Sequence, residues 1–504
     1  MRQNLGISLI VAALLALAGA ANAGSGFEKQ VVALTVTFQT WDEDRPWAKN
    51  NPSRRVASAV VVDGPLLLTR AQIVADATLI QVERRGDARP WPARVAHLDH
   101  EIDLALLEVE DPAFFEGLDP VRLATSVPTE GSVQSVRWSD RQLEVGNSRV
   151  SKVEVSSNRY GNVEHHYLLV RTDLENGGWG EPVFRKRKLI GLTASQEHLS
   201  ARVLPAEIIA AYLDRVRAPG GYRGFPYLDV VWQNNQDRAL TGFLGLPGEP
   251  RGVLIRSTRR GGSACGALRA RDILLELDGH AIDAIGNITH QRYGQILFTQ
   301  IAIEGKLPGD RLPARVWRDR REVNVEIELR SYPSEARLIP WRRDDVAPAY
   351  FVAGGLVFRA LDGPFLRTWG GNWGESAPSQ LVTRYHLQAH AQTPDRRRLM
   401  ILSSVLPDRY NLGYHDVASR VVESVNGQAV DSVEDLAAAF AAPEGEFHVV
   451  RLAPNTDFGE LVLDATEFEA ASQRILEAYE LPAAMRASHA LLPDLGEACF
   501  PEAS

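Results

Sequence analysis

This chain lacks an excess of positive charge and has few long apolar runs. Its 504 residues carry a formal net charge of −9, which argues against a broad nucleic-acid surface because such a surface needs a basic excess. Beyond the amino terminus, no stretch reaches the roughly 18 uninterrupted apolar residues that a membrane-spanning helix needs. The sequence therefore predicts no nucleic-acid partner and no membrane span.

Cysteine is nearly absent, since only Cys265 and Cys499 are present. Export would permit a disulfide between them, but the sequence gives no distance between the two residues. We expect one half-buried thiol in a domain and one thiol in the tail, with a bridge as the alternative. We expect no cofactor and no metal site.

The first 23 residues are typical of a secretory signal peptide. Arg2 supplies a weak positive charge, and a short apolar run extends from Leu5 to Leu17. Ala21-Asn22-Ala23 fits the small-x-small pattern of a cleavage site. We therefore expect cleavage at about Ala23 and a periplasmic or secreted mature protein.

Short strand-like runs, among them Val31–Phe38 and Leu104–Val109, dominate the chain from Val31 to about Val216, and Gly, Pro, Asp or Asn separate them. Many short strands at this spacing indicate an all-β sandwich or a pair of barrels. An amphipathic helix is predicted over Pro205–Val216, and the turn-rich Arg217–Gly221 follows it as a domain boundary. A chain of this length is too long for one core, so roughly three domains are expected.

Three segments of this region carry the pattern of a catalytic site. The loop Thr172–Phe184 contains Gly-Gly-Trp-Gly-Glu-Pro, Gln72 lies in Leu-Thr-Arg-Ala-Gln-Ile-Val, and Asp103 begins Asp-Leu-Ala-Leu-Leu. These segments resemble the nucleophile loop, the histidine helix and the aspartate strand of trypsin-fold serine proteases of the HtrA/DegP family. The resemblance implies a mainly β fold, with a trypsin-like double β-barrel over residues 24–218.

Two of the three triad positions are changed. Gln72 stands at the histidine position and Trp179 at the serine position, whereas Asp103 keeps the aspartate. A neutral amide has no proton equilibrium near pH 7, and an indole has no group that attacks a carbonyl. We expect Asp103 to be structural and to accept an amide N–H from Gln72.

The loop that forms the oxyanion hole in such proteases is altered too. It comprises Gly177, Gly180 and Glu181 here, and Glu181 replaces a glycine. Its carboxylate lies near the place where negative charge would develop, which is the opposite of what acyl transfer needs. No catalytic residue set is therefore intact. A rewired site using His97, His100, His165 or His166 is the alternative, but such histidines are more often packing or surface residues.

Two roles are compatible with a tryptophan at position 179. It fills the space left by the catalytic pair, which we favour, or it offers an aromatic contact to a bound polypeptide.

Residues 222–332 resemble the PDZ domains attached to HtrA proteases, on Gly252–Ile255 and on Leu268–Gly279. Arg271 departs from the pattern by standing where a glycine is usual. PDZ domains bind an extended peptide or a carboxyl terminus beside a strand edge. The resemblance assigns peptide binding to one loop and the strand after it, at Phe225, Tyr227, Leu228, Asp229 and Val230.

Asp229 stands where the family has glycine, and its carboxylate would repel a terminal carboxylate. Internal segments or basic ends are therefore favoured over C-terminal peptides. A packing module that binds no ligand is the alternative.

Residues 399–485 resemble a second PDZ-like domain with a C-terminal helix, because Val425–Asp431 repeats the spacing of Leu277–Asp283. Ser432 is predicted to cap a helix that ends at Phe440, and a further helix covers Glu467–Tyr479. The sequence from Leu399 resembles that of a plant and bacterial Deg subgroup, in which the last PDZ-like unit serves assembly into oligomers. A homo-oligomer is thereby implied.

The connecting segment 333–398 contains Trp369 and Trp373, which we expect to be core anchors rather than a ligand platform. Residues 486–504 form a tail.

The leading hypothesis is an exported, non-catalytic homologue that binds unfolded or extended polypeptide or scaffolds a complex. A serine endopeptidase with a rewired site and a regulatory subunit of an active HtrA-type protease partner are the alternatives.

Overall fold

The computed structural model describes residues 26–139, 142–157, 163–331, 337–391, 393, 396–454, 459–487 and 499. They form two compact units. Unit 1 holds the chain up to Phe38, Ser53–Phe225 and His280–Pro308, and unit 2 holds Gln39–Pro52, Pro226–Gly279 and the chain from Gly309. The predicted signal peptide and most of the tail lie outside the described residues, and the predicted domain boundaries stay predictions.

Six strands of unit 1 form a closed barrel in the order β1-β2-β3-β6-β5-β4. Its elements are β1 (Val31–Phe38), β2 (Ser53–Val62), β3 (Leu66–Thr69), α1 (Ala71–Val74), β4 (Ala77–Arg84), β5 (Asp87–Asp99) and β6 (Leu104–Val109). Alternate residues of β1 face the interior, where Val32, Leu34 and Val36 are fully buried. The short helix α1 carries Gln72 and closes one end of this core through Ile73 and Val74.

Seven more strands of unit 1 form a second sheet, ordered β11-β8-β9-β10-β13-β12-β7 and closed by pairing of β11 with β12. Its elements are β7 (Arg122–Leu123), β8 (Gly131–Ser139), β9 (Gln142–Ser157), β10 (Glu164–Thr172), β11 (Pro182–Arg185), β12 (Lys188–Glu197), β13 (Ser200–Pro205) and α2 (Ala206–Arg217). The mainly β double barrel predicted from the sequence is confirmed. The helix predicted over Pro205–Val216 is also confirmed, because α2 buries Ile208, Ile209 and Tyr212 as the pattern indicates.

Residues 230–328 supply the next group of elements. They are β14 (Val230–Asn234), α3 (Arg238–Phe243), β15 (Val253–Thr258), β16 (Ile273–Leu277), β17 (His280–Ala281), β18 (Asn287–His290), β19 (Gly294–Leu297), β20 (Arg311–Arg318) and β21 (Arg321–Glu328). Strands β14-β15-β16-β20-β21 form one sheet of unit 2. After Gly279 the chain forms the β18–β19 hairpin and a 3-10 helix over Phe298–Ala302. Asn-Ile-Thr and Gln-Ile-Leu favour strands, and Gly294 adopts the left-handed turn conformation.

The carboxyl-terminal part of unit 2 is built on a sheet ordered β28-β27-β25-β24-β23-β22-β29. Its elements are β22 (Tyr350–Ala353), β23 (Leu356–Ala360), α4 (Gly363–Leu366), α5 (Trp373–Ser376), α6 (Ser379–Gln388), β24 (Met400–Val405), β25 (Arg420–Val425), β26 (Gln428–Ala429), α7 (Val433–Phe440), β27 (Phe447–Leu452), β28 (Glu460–Asp464), α8 (Phe468–Ala478) and β29 (Met485–Arg486). Ser432 caps α7 as predicted, since its Oγ accepts the Asp435 N–H at 3.1 Å. Trp369 and Trp373 pack against one apolar cluster, which confirms them as core anchors.

The connection between β1 and β2, Gln39–Pro52, belongs to unit 2. The Glu43 carboxylate binds Arg343 at 2.6 Å and Arg359 at 2.7 Å. The Arg359 guanidinium is almost fully buried and also binds Asp362 at 3.1 Å. A buried guanidinium must be paired, and these two carboxylates satisfy that requirement for Arg359.

Cys265 and Cys499 form a disulfide within unit 2. The expectation of two separate thiols is wrong. Their Cα atoms lie 4.7 Å apart although 234 positions separate them in the sequence. The sequence carries no sign of this proximity because the bridge depends on tertiary structure alone.

Candidate functional site

The three positions that resemble a catalytic triad lie together in unit 1. Gln72 lies in α1, Asp103 immediately precedes β6, and Trp179 lies in the loop before β11. The backbone N–H of Gln72 donates to Asp103 Oδ1 at 2.8 Å. Gln72 and Trp179 line one cleft of about 820 Å³, which we call the glutamine cleft. The fold thus brings the three triad positions together, but two of them, Gln72 and Trp179, carry different side chains.

Arg70 is the residue of this site that the sequence analysis missed. Its side chain is buried, and its Nε donates to Asp103 Oδ2 at 2.7 Å. Its Nη1 donates to the Gly178 carbonyl at 2.8 Å, and its Nη2 contacts Asp103 and the Gln72 side-chain oxygen, the latter at 3.2 Å. One guanidinium therefore contacts Asp103, Gln72 and the loop that carries Trp179.

This arrangement corrects the role expected for the Gln72 side chain. We expected Asp103 to accept its amide N–H, but its oxygen faces Arg70 instead. Asp103 is neutralised by a guanidinium, and only the backbone of Gln72 contacts it. The one feature of the sequence that points to Arg70 is its position, between the apolar strand β3 and the helix α1.

Glu181 occupies the backbone donors of the oxyanion loop. Its Oε2 accepts from Gly178 N at 2.9 Å and from Trp179 N at 3.0 Å. Gly178 and Gly180 have φ of +105° and +80°, and successive N–H groups in such turns form an anion-binding nest. Burial raises the pKa of Glu181, and its own N–H, those of Gly178 and Trp179, and Arg70 oppose that rise. The carboxyl group of Glu181 therefore already occupies the nest.

Gly177 lies beside this nest and packs closely against the second barrel. A Cβ at Gly177 would lie 2.1 Å from Gln196 Oε1, so this position has no room for a side chain unless Gln196 moves.

Trp179 does not fill the vacated space, so the interpretation we favoured from the sequence is wrong. Its side chain is 47% exposed and separates the glutamine cleft from a second cleft of about 800 Å³. Its N–H is held by Glu181 and its carbonyl accepts from Ser58 N at 3.1 Å, which turns the indole outward.

The histidines considered as substitute bases have other partners. His97 Nδ1 lies 2.8 Å from the Tyr212 hydroxyl, and His166 Nε2 lies 3.2 Å from Glu207 Oε2. His165 is fully buried beside Tyr167, and burial lowers its pKa to about 3. These three imidazoles contribute to packing rather than to the site around Asp103.

The loop assigned to peptide binding is mostly buried. Phe225, Tyr227, Leu228 and Asp229 are each less than a tenth exposed, and Val230 is half-buried at the start of β14. Asp229 Oδ1 binds Arg259 at 2.6 Å. Burial raises the pKa of Asp229, and Arg259 opposes that rise. The carboxylate that we expected to repel a peptide terminus is thus buried and paired with a guanidinium.

The two PDZ-like sheets share one strand order but differ at one edge. The first runs β14-β15-β16-β20-β21, and the second contains β23-β24-β25-β27-β28. The turns Asp278-Gly279 and Asn426-Gly427 follow the third strand of each, with matching left-handed φ values. In the second sheet β22 and β29 continue beyond β23, so the chain covers that edge. In the described part of the chain, no strand pairs with the outer edge of β14.

None of the helices in the described ranges has the length and apolar character required to cross a membrane.

Models of two known domains match separate segments of the chain. A model of the trypsin-like peptidase domain matches residues 57–192, and a PDZ domain model matches residues 339–488. Protease Do-like 2, chloroplastic, from Arabidopsis thaliana is 27% identical over 91% of this chain and 75% of its own length. Protease Do-like 4, mitochondrial, from the same plant is 27% identical over 78% of this chain and 73% of its own length.

Among solved structures, the HtrA-type protease AlgW with a decapeptide is 20% identical, with a TM-score of 0.47. The alignment covers 62% of this chain and 99% of that one. The matches to the two domain models confirm the trypsin-like barrels and the PDZ domain expected from the sequence. The chain therefore contains a trypsin-like peptidase domain and a PDZ domain, and it is similar to proteases of the HtrA/DegP type.

Proposed function

We propose that this protein holds extended polypeptide without cutting it. The observation that carries the proposal is the Glu181 carboxylate on the N–H groups of Gly178 and Trp179. Acyl transfer needs such donors free to stabilise an oxyanion, and a carboxylate in their place both occupies them and repels negative charge. Trp179 supplies no nucleophile and Gln72 supplies no general base, so both positions also argue against peptide cleavage.

Polypeptide binding is assigned to the outer edge of β14. Main-chain N–H and C=O groups of an edge strand bind an extended segment as an added strand. Val231 on this strand is 40% exposed, which supplies an apolar contact for the added segment. The corresponding edge of the second sheet is covered by β22 and β29, so the first PDZ-like sheet is the binding module.

Export to the periplasm or the outside of the cell is part of the same proposal. The apolar run Leu5–Leu17 supports it, and so does the disulfide between Cys265 and Cys499, since such bonds persist in oxidising compartments. The homo-oligomer and the association with an active protease stay predictions from the resemblance.

A peptide-binding assay tests the role of β14. A fluorescent, end-blocked peptide of alternating Val and Thr should bind the full chain and should be recovered intact. Val231→Glu should weaken this binding about tenfold, because burial of one valine side chain contributes about 1.5 kcal/mol. The readout is fluorescence anisotropy, followed by mass spectrometry of the peptide.

Val462→Glu is the matched control. Val462 is also an exposed valine, 42% accessible, on the edge strand β28. The Tyr414 hydroxyl contacts its backbone N and O at 3.1 and 3.3 Å, so a peptide cannot add there without displacing it. Equal losses in the two variants would contradict binding at β14.

A further inference from the structure

The glutamine cleft has a one-sided charge. Among the residues that the structure describes, its lining contains no carboxylate and four arginines, Arg54, Arg55, Arg70 and Arg202. The second cleft beside Trp179 differs, because Glu83, Asp87 and Glu181 contribute to its lining. The whole chain is acidic, with a formal net charge of −9, so the positive lining is a local feature.

Two of these four charges are already neutralised. Arg70 is paired with Asp103, and Arg202 Nε binds Glu154 Oε1 at 2.8 Å. Arg55 donates to the Gln72 and Ile73 carbonyls at 2.5 and 3.2 Å, and its guanidinium lies 3.5 Å from the centre of the Phe38 ring. Arg55 is thus held against α1 and the Phe38 ring.

Arg54 is the accessible cation of the site. It is exposed on β2, it lines both clefts beside Trp179, and within the described ranges it forms no ion pair. The 47% exposed Trp179 indole lies between the same two clefts. An arginine that lines the same cleft as an exposed aromatic ring suits a ligand with a carboxylate and an adjacent apolar group.

We propose that the glutamine cleft binds an acidic segment of an extended polypeptide, with a Glu or Asp side chain on Arg54 and an apolar neighbour on Trp179. This site is distinct from the β14 edge. It rests on the proposed absence of proteolysis, because the bound segment must stay intact. A polypeptide fits better than a nucleic acid, since one accessible arginine in an acidic chain cannot follow a line of phosphates.

Peptide binding at low ionic strength tests this site on the full chain. The probe is an end-blocked fluorescent peptide of alternating Glu and Leu, and its comparator has Gln in place of Glu. We expect the Glu peptide to bind about fivefold tighter than the Gln peptide, and 0.5 M salt to remove the difference. Equal affinities at low salt would overturn the proposal.

Charge reversal locates the site. Arg54→Glu should abolish the preference for the Glu peptide, whereas Arg149→Glu should leave it within twofold. Arg149 is an exposed arginine on β9 that lines neither cleft. Trp179→Ala should weaken both peptides. Equal effects of the two arginine variants would overturn the proposal, because attraction would then come from overall charge.

Two further measurements distinguish this proposal from nucleic-acid binding and from peptide binding at β14. A single-stranded oligonucleotide at matched charge should fail to displace the Glu peptide, and full displacement would favour a nucleic-acid ligand instead. Val231→Glu should preserve the preference for the Glu peptide over the Gln peptide, and loss of that preference would place the acidic site on β14. Cleavage of the probe would contradict the proposed function while leaving the measured acidic preference intact.

Discussion

Replacing Arg70 by Met should lower the free energy of unfolding by about 3–5 kcal/mol, because it leaves a buried carboxylate without its counter-charge. Arg70 and Asp103 are 6% and 4% exposed, and two guanidinium nitrogens contact the same carboxylate oxygen. In the variant, Asp103 keeps only the Gln72 backbone N–H among the donors described above. Equilibrium urea denaturation of the full chain measures the effect.

The exposed pair Arg94–Glu108 supplies the control. Its side chains are 65% and 45% exposed with an N···O distance of 2.5 Å, so Arg94→Met should cost less than about 1 kcal/mol. Arg70→Met combined with Asp103→Asn should recover part of the loss, because both charges are then absent. A cost for Arg70→Met no greater than that of Arg94→Met would show that the buried pair does not stabilise the fold.

Restoring proteolysis should require four substitutions rather than two. Gln72→His with Trp179→Ser returns the base and the nucleophile, but Arg70 still holds Asp103 and Glu181 still occupies the oxyanion donors. Adding Arg70→Ala frees Asp103 to orient the new imidazole, and adding Glu181→Gly frees the N–H groups. We expect casein hydrolysis and fluorophosphonate labelling only in the fourfold variant.

The contribution of Glu181 is measured with a threefold variant that keeps this residue and carries Gln72→His, Trp179→Ser and Arg70→Ala. That variant should be at least about 100-fold slower than the fourfold variant, the cost of losing one oxyanion donor elsewhere. Rapid turnover by the twofold variant would show that neither Arg70 nor Glu181 blocks the centre, and it would contradict the account of this site.

Local pattern was sufficient to predict many of the elements. The strands over Val31–Phe38 and Leu104–Val109 have the predicted bounds, because alternating or continuous apolar residues bounded by polar ones define them. The strand β5 was not predicted, since Pro90 and Pro92 weigh against a strand. Its pairing with β4 and β6 in a closed barrel outweighs that local preference.

The changes at Gln72, Trp179 and Glu181 were readable from the sequence because a motif fixes which residue belongs at each position. The role of Arg70 was not readable, since an arginine at a strand end is expected to reach solvent. Its burial depends on the distance to Asp103 in the folded barrel. The covered edge of the second PDZ-like sheet likewise depends on where β22 and β29 pair, which spacing along the chain does not specify.

Binding without cleavage can be measured on the unmodified protein in a single sample. A quenched fluorogenic peptide with an extended, end-blocked sequence reports binding by anisotropy and cleavage by an increase in emission. We expect saturable binding with no increase in emission overnight and no labelling by a fluorophosphonate probe. Emission that rises with protein concentration and is abolished by the fluorophosphonate would instead show a working serine nucleophile.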